Sequence, residues 1–283
     1  MLSQWESFLK NLGEWHGSFT RYTPSGEFIE DTPSIVTLEG REDNQAVHQV
    51  VHYMPKDAPT RDVTVDYRST SLNRSILFFE DGAFCQGSMQ WSPYSQFGAE
   101  FGVMERDTTE AEGRCDRRLR MVQLYNTSSK LEKVVLIPEK LPNCTTPERP
   151  QLTVDSLLGE WQGEAVTMYA NLDNPTRFQS QLKITQPDSS HIEQTLSFNG
   201  RNISSKARIE GNRLLFDSGL PVQILLLPNG ASANCPLEVK SGQPFVLEVG
   251  WLISPTVRKR VMRTYNEKGN WTSCTSVTET KIV

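Results

Sequence analysis

The sequence predicts an all-β protein, two tandem antiparallel up-and-down β-barrels each preceded by a short plug helix, and three observations predict it. Leu12-Gly13-Glu14-Trp15-His16-Gly17 returns as Leu158-Gly159-Glu160-Trp161-Gln162-Gly163, 146 positions on in a chain of 283 residues. Each copy opens a series of short strand-like segments parted by Gly, Asn, Asp and Pro turns. Between the two series, Pro138–Pro150 holds four prolines in thirteen residues and is expected to be extended and strand-free. An offset of this size is too long for a solenoid repeat and suits a duplicated domain. The boundaries read as 1–140 for the first barrel, 141–151 for the Pro-rich linker and 152–283 for the second barrel.

The elements follow in order. Ser3 to Leu12 predicts an amphipathic helix with Ser3 as N-cap, Trp5, Phe8, Leu9 and Leu12 on one stripe, and Gly13 as its stop. Thr153 to Leu158 is the shorter counterpart, and each helix is expected to plug the bottom of its barrel. Strands are predicted at Ser34–Glu39 and Ala46–Tyr53, matched by Gln181–Thr185 and Ile192–Phe198, with Val36 aligning on Leu182 and Leu38 on Ile184 at the same offset. Further pairs are Ser75–Phe79 with Arg213–Phe216, Ala99–Glu105 with Phe245–Ile253, and Arg117–Tyr125 with Val257–Tyr265. Leu131–Ile137 and Thr272–Thr278 close the two halves. About eight strands per half are expected, and closing such a sheet removes its exposed edges. A cut between Cys144 and Pro150 should then give two separately folding halves.

Composition narrows the function classes. A net charge of −5 with interspersed signs argues against duplex nucleic acid and anionic membrane surfaces as partners. Met1–Glu6 has neither the basic nor the apolar run of a signal peptide, and no segment has the length of a spanning helix. Five scattered cysteines read as free thiols in a reducing compartment, the cytoplasm or a plastid stroma.

The Gly-x-Trp that enters each first strand resembles the opening motif of the calycin superfamily, the lipocalins and their relatives. The resemblance implies structural roles for Gly13, Trp15, Gly159 and Trp161, an Arg from a late strand stacked on each Trp, and an apolar ligand in the barrel mouth. Trp251, Ser254-Pro255, Val257-Arg258-Lys259-Arg260, Gly269-Asn270 and Thr278-Glu279 resemble the last strands of the S-type phycobilin lyases, single calycin barrels that attach linear tetrapyrroles to phycobiliproteins. The chain as a whole is similar to a tandem-calycin family of cyanobacteria and plastid-bearing organisms that has no settled function.

Candidate site residues follow from chemistry and from these resemblances. Arg258 and Arg260 alternate on one strand and so share a face, and Arg118 and Arg120 hold the equivalent places. Two guanidiniums on one face suit two carboxylates, and the lyase resemblance implies that they hold the propionates of a phycobilin. The alternatives are a solvent-facing strand or a single Arg capping the barrel Trp. Trp91, Tyr94, Phe97 and Phe101, with Trp251 in the second half, could stack on a conjugated ligand or simply pack the core. No metal site is expected, because His48 and His52 lie four apart in a strand and therefore ~13 Å from one another. No Gly-x-Ser-x-Gly elbow occurs and no Cys lies beside a His, while Cys274 reads as a small buried residue. Three functions remain in view. The chain is a lipocalin-like binder of a hydrophobic or amphipathic small molecule such as a linear tetrapyrrole, a phycobilin lyase or bilin chaperone with a phycobiliprotein partner, or a non-catalytic assembly scaffold with filled barrels.

Overall fold

Each copy of the repeated hexapeptide leaves a plug helix and enters the first strand of an antiparallel sheet in the computed structural model, which describes residues 2–72, 75–106, 116–142, 144–216 and 219–282. Helix α1 (Gln4–Leu9) begins at a reciprocal capping box between Ser3 and Glu6. It is followed by β1 (Gly13–Tyr22), β2 (Phe28–Arg41), β3 (Ala46–Tyr53), β4 (Arg61–Arg68), β5 (Ile76–Phe78), β6 (Phe84–Gly87), β7 (Phe97–Glu105), β8 (Arg117–Tyr125) and β9 (Leu131–Lys140). Helix α2 (Val154–Leu157) starts at a box between Thr153 and Ser156. The second half then runs β10 (Gly159–Tyr169), β11 (Thr176–Asp188), β12 (His191–Phe198), β13 (Arg201–Glu210), β14 (Arg213–Phe216), β15 (Val222–Leu226), β16 (Ala231–Pro236), β17 (Phe245–Ser254), β18 (Val257–Tyr265) and β19 (Trp271–Ile282).

The first half is a nine-stranded sheet in the order β4-β3-β2-β1-β9-β8-β7-β6-β5, open between β4 and β5. The second half is a closed ten-stranded barrel. Both counts exceed the eight expected, and only one of the two sheets closes. The additional strands were hidden for physical reasons. β13 reads as a polar segment because most of its residues are solvated, and β4 is exposed along nearly its whole length. β15 (VQILL) carries apolar residues on both faces and β16 is buried along nearly its whole length, so their sequences lack the period of a half-solvated strand. Pro138, Glu139 and Lys140 belong to β9, which shortens the stretch expected to be strand-free.

The apolar residues form three clusters. One lies inside the first sheet, around Phe8, Trp15, Val36 and Phe78. Another fills the closed barrel around Leu157, Trp161, Leu182 and Leu214. The third belongs to neither interior and joins the halves, with Phe101, Leu119, Met121 and Tyr125 on one side and Leu247, Val249, Val261 and Tyr265 on the other. In this seam Phe97 meets Tyr265 edge-on at 5.1 Å, and Phe245 stacks on Tyr265 at 4.7 Å. Gln123 donates to the Glu248 carbonyl at 2.8 Å and Tyr125 to the Pro236 carbonyl at 2.7 Å. β7 and β8 are therefore buried on both faces, which is why their sequence alone could not orient them.

Cys85, Cys235 and Cys274 are buried free thiols, whereas Cys144 is disulfide-bonded, so the reading of all five as free thiols is corrected. Cys115 lies outside the described residues. His48 and His52 each pair across the sheet, with Asp66 at 2.7 Å and Asp62 at 2.5 Å.

Candidate functional site

The repeated hexapeptide builds the same arrangement twice. Gly13 and Gly159 sit at φ +135° and +116°, a backbone conformation that lets the chain turn out of the plug helix into β1 and β10. Two residues later the indole N–H of Trp15 donates back to the Asn11 carbonyl, and that of Trp161 to the Leu157 carbonyl, each at 2.9 Å. Arg118 then lies 4.5 Å from the Trp15 ring centre and Arg258 5.2 Å from that of Trp161. The final glycine of the motif faces a carboxylate, since Gly17 pairs with Glu139 and Gly163 with Glu279. A Cβ at Gly17 would come within 2.1 Å of the Pro138 carbonyl and 2.8 Å of the Glu139 side chain. The motif thus turns the chain, seats the Trp and leaves room for a buried acid.

Glu139 binds both arginines of its half. Arg118 Nε reaches Oε2 at 2.7 Å and Arg120 Nη2 reaches Oε1 at 2.8 Å, while Arg120 also holds Glu100 at 2.7 Å. In the second barrel Arg258 contacts Glu279 at 2.6 Å, and Arg260 contacts Glu279 at 2.7 Å and Glu248 at 3.2 Å. Each interior therefore carries two guanidiniums and two carboxylates that neutralise one another. Burial raises the Glu139 carboxyl, but the charges of Arg118 and Arg120 outweigh it and hold it below its ordinary value. Glu279 is held down in the same way by Arg258 and Arg260. Burial also works against the charge on Arg260, yet Glu279 and Glu248 more than restore it.

The expected site residues separate into four places. Arg118 and Arg120 face the interior of the first half, and Arg258 and Arg260 that of the second. Trp91 and Trp251 are buried in the seam. On β17 Trp251 and Glu248 fall at opposite parity, so the ring points away from the lumen that holds the acid. Tyr94 is 90% exposed and stands apart from all of these. The partner acids Glu100, Glu139, Glu248 and Glu279 were absent from the expected set. Glu139 and Glu279 stand in the same 140-residue relation as the arginines, and that signal could have found them.

The lumen of the first half keeps a cavity of about 70 Å³, bordered by Gln49, Tyr67, Glu100, Arg118 and Arg120. Larger spaces lie elsewhere. A cleft of about 500 Å³ runs between the halves, lined by Ser7, Phe79, Asp81, Met168, Arg177 and Phe178. A second pocket, of about 430 Å³, lies under the linker. Among the described residues no group of three or more His, Cys, Asp or Glu could hold a metal ion, and no helix is long and apolar enough to cross a membrane.

A solved structure from Nostoc punctiforme, described as a protein of unknown function from the DUF3598 family, is 43% identical over 100% of both chains with a TM-score of 0.88. Residues 1–144 match the family model for the N-terminal domain of unknown function DUF3598. The chain belongs to the DUF3598 family. Residues 148–282 of this DUF3598 protein match the model described as the C-terminal domain of biogenesis factor required for ATP synthase 1. An S-type phycobiliprotein lyase from Guillardia theta is similar over 46% of this chain and 90% of its own, at 13% identity and a TM-score of 0.36. Kievitone hydratase from Nectria haematococca is similar over 99% of this chain and 93% of its own, at 9% identity and a TM-score of 0.24. None of the curated proteins matches this chain.

Proposed function

We propose that this DUF3598 protein is a non-catalytic assembly factor that recognises a partner protein by its outer surface and serves the biogenesis of ATP synthase. The observation that carries this reading is the pair of self-neutralised Arg and Glu clusters in the two interiors. A ligand's carboxylates would have to displace Glu139 or Glu279 from arginines that already hold them at 2.6 to 2.9 Å. A cavity of about 70 Å³ in the first interior is also well below the roughly 300 Å³ at which small-molecule sites begin. The match of the second half to a domain of an ATP synthase biogenesis factor supplies the partner class.

Carriage of an amphipathic small molecule such as a linear tetrapyrrole, with a phycobiliprotein as acceptor, is the second reading. It is favoured by Arg260 Nε, a buried donor without a hydrogen-bond partner among the described residues. In that reading Arg258 and Arg260 exchange Glu279 and Glu248 for the ligand's propionates.

Two measurements on the purified chain separate the readings. Co-elution with isolated ATP synthase subunits, and no absorbance change on mixing with phycocyanobilin, are the results expected of an assembly factor. A red-shifted, sharpened bilin band that disappears with Arg258→Ala plus Arg260→Ala, without subunit binding, would replace it with the carrier reading.

A further inference from the structure

We propose that the pocket under the linker binds a single-chain amphipathic anion, a medium-chain carboxylate whose tail lies against the linker and whose head group meets Lys281. The pocket measures about 430 Å³, within the range that encloses a small organic ligand and at its lower end, which suits one chain rather than two. Its walls are apolar and come from Pro150, Leu152, Leu252, Ile253 and Pro255. No member of either Arg and Glu cluster lines it.

The walls are fixed before any ligand arrives. Leu152 N donates to the Leu227 carbonyl at 3.0 Å, and Gly230 N donates to the Pro150 carbonyl at 2.9 Å. Gln151 Nε2 donates to the Leu226 carbonyl, so Pro150, Gln151 and Leu152, at the junction of linker and barrel, are strapped in succession to the barrel wall. Arg149 closes one end, donating to the Ile253 carbonyl and lying 5.0 Å from the Trp251 ring. A preformed apolar slot needs little ordering on binding.

The two cations at its border differ. Arg149 already has a carboxylate partner, Glu105 at 2.8 Å, which it shares with Arg117. Lys281 has no carboxylate within ion-pair distance among the described residues; its ammonium donates to the Ser156 carbonyl at 3.1 Å and lies 4.8 Å from the Trp161 ring. An ammonium has three donors, and one is taken by the Ser156 carbonyl, which leaves two for an anion. Burial and the neighbouring Arg258 charge lower the Lys281 pKa, and an anionic head group would relieve both. Apolar walls bordered by an ammonium that no described carboxylate pairs select a carboxylate over an alcohol or an amine of equal length.

Titration calorimetry of the full chain with dodecanoate, dodecanol and dodecylamine tests this. One dodecanoate should bind per chain, more tightly than dodecanol, with no binding of the amine. Lys281→Gln should weaken dodecanoate about tenfold, the effect of one partly desolvated charge-assisted pair, and leave dodecanol unchanged. Lys281→Arg should keep dodecanoate binding, which guards against a variant that merely fails to fold. Ser254→Phe, placed in the pocket wall at a partly exposed position, should abolish binding of both ligands. Absence of dodecanoate binding to the wild type, or binding indifferent to both Lys281→Gln and Ser254→Phe, would overturn the proposal.

Discussion

Arg118 stands 4.5 Å from the ring centre of Trp15, and this contact joins the opening motif of the first half to its next-to-last strand. The pair is repeated as Arg258 over Trp161. In both copies the same arginine is held from its other side by the acid of the last strand, so motif and cluster form one unit. That unit governs several expected behaviours.

Replacing Glu279 by Ala leaves Arg258 with no carboxylate in contact and Arg260 with only Glu248, inside a closed barrel. Stranding buried charge in this way costs about 3–5 kcal/mol. Denaturant unfolding at neutral pH should show a loss of that size. A loss below about 1 kcal/mol would mean that the interior is hydrated.

Acid should weaken the fold through the same groups. Glu139 and Glu279 have folded pKa values below their unfolded ones, near about 4.3. Their stabilisation is complete above that value and is lost as pH falls through the lowered folded pKa. Unfolding free energy measured below about pH 4.5 should therefore fall more steeply for the wild type than for the Glu139→Gln plus Glu279→Gln variant.

Gly17→Ala should be poorly tolerated although the residue has an ordinary strand conformation. The added methyl would press on the Pro138 carbonyl and on the Glu139 side chain. A cost of about 2 kcal/mol or more is expected from overpacking beside a buried ion pair. Thermal melting of Gly17→Ala and Gly163→Ala should show the larger loss at Gly17, where the close neighbour is backbone.

Cleaving the chain between Cys144 and Pro150 should leave the halves associated, in contrast to the independence expected of a plain duplication. The apolar seam around Phe97, Phe245 and Tyr265 would otherwise face water. Size-exclusion chromatography of the cleaved protein should give one peak. Phe97→Ala, at a cost of about 3–5 kcal/mol, should release the halves into separate or aggregated species.

Much of this architecture was legible in the sequence because its signals are local. The hexapeptide repeat marked both plug helices and both first strands, and β8 and β18 begin and end where alternation placed them. The direction of Arg118 and Arg258 was not legible, because Leu119 and Val261 on the opposite faces are as deeply buried as a lumen residue would be. Burial on two sides erases the period that distinguishes inside from outside. Glu139 is hidden because it follows Pro138 and falls in the proline-dense stretch Pro138–Pro150, which reads as strand-free. Trp91 and Trp251 have the chemistry of ligand-stacking residues, whereas their position in the seam depends on how two sheets pack, which no single segment encodes.

The two halves also differ in how they can come apart. A closed ring of ten strands has no free end, so none of its strands can leave without breaking two ladders at once. The open sheet of the first half ends at β4, a strand held by β3 alone and solvated along its length. Amide hydrogens of β4 and β3 should therefore exchange well before those of β10 and β19, in peels that start at one border and stop at the seam. Fluctuation in this molecule has a fixed point of origin, and the duplicated barrel opposite acts as its anvil.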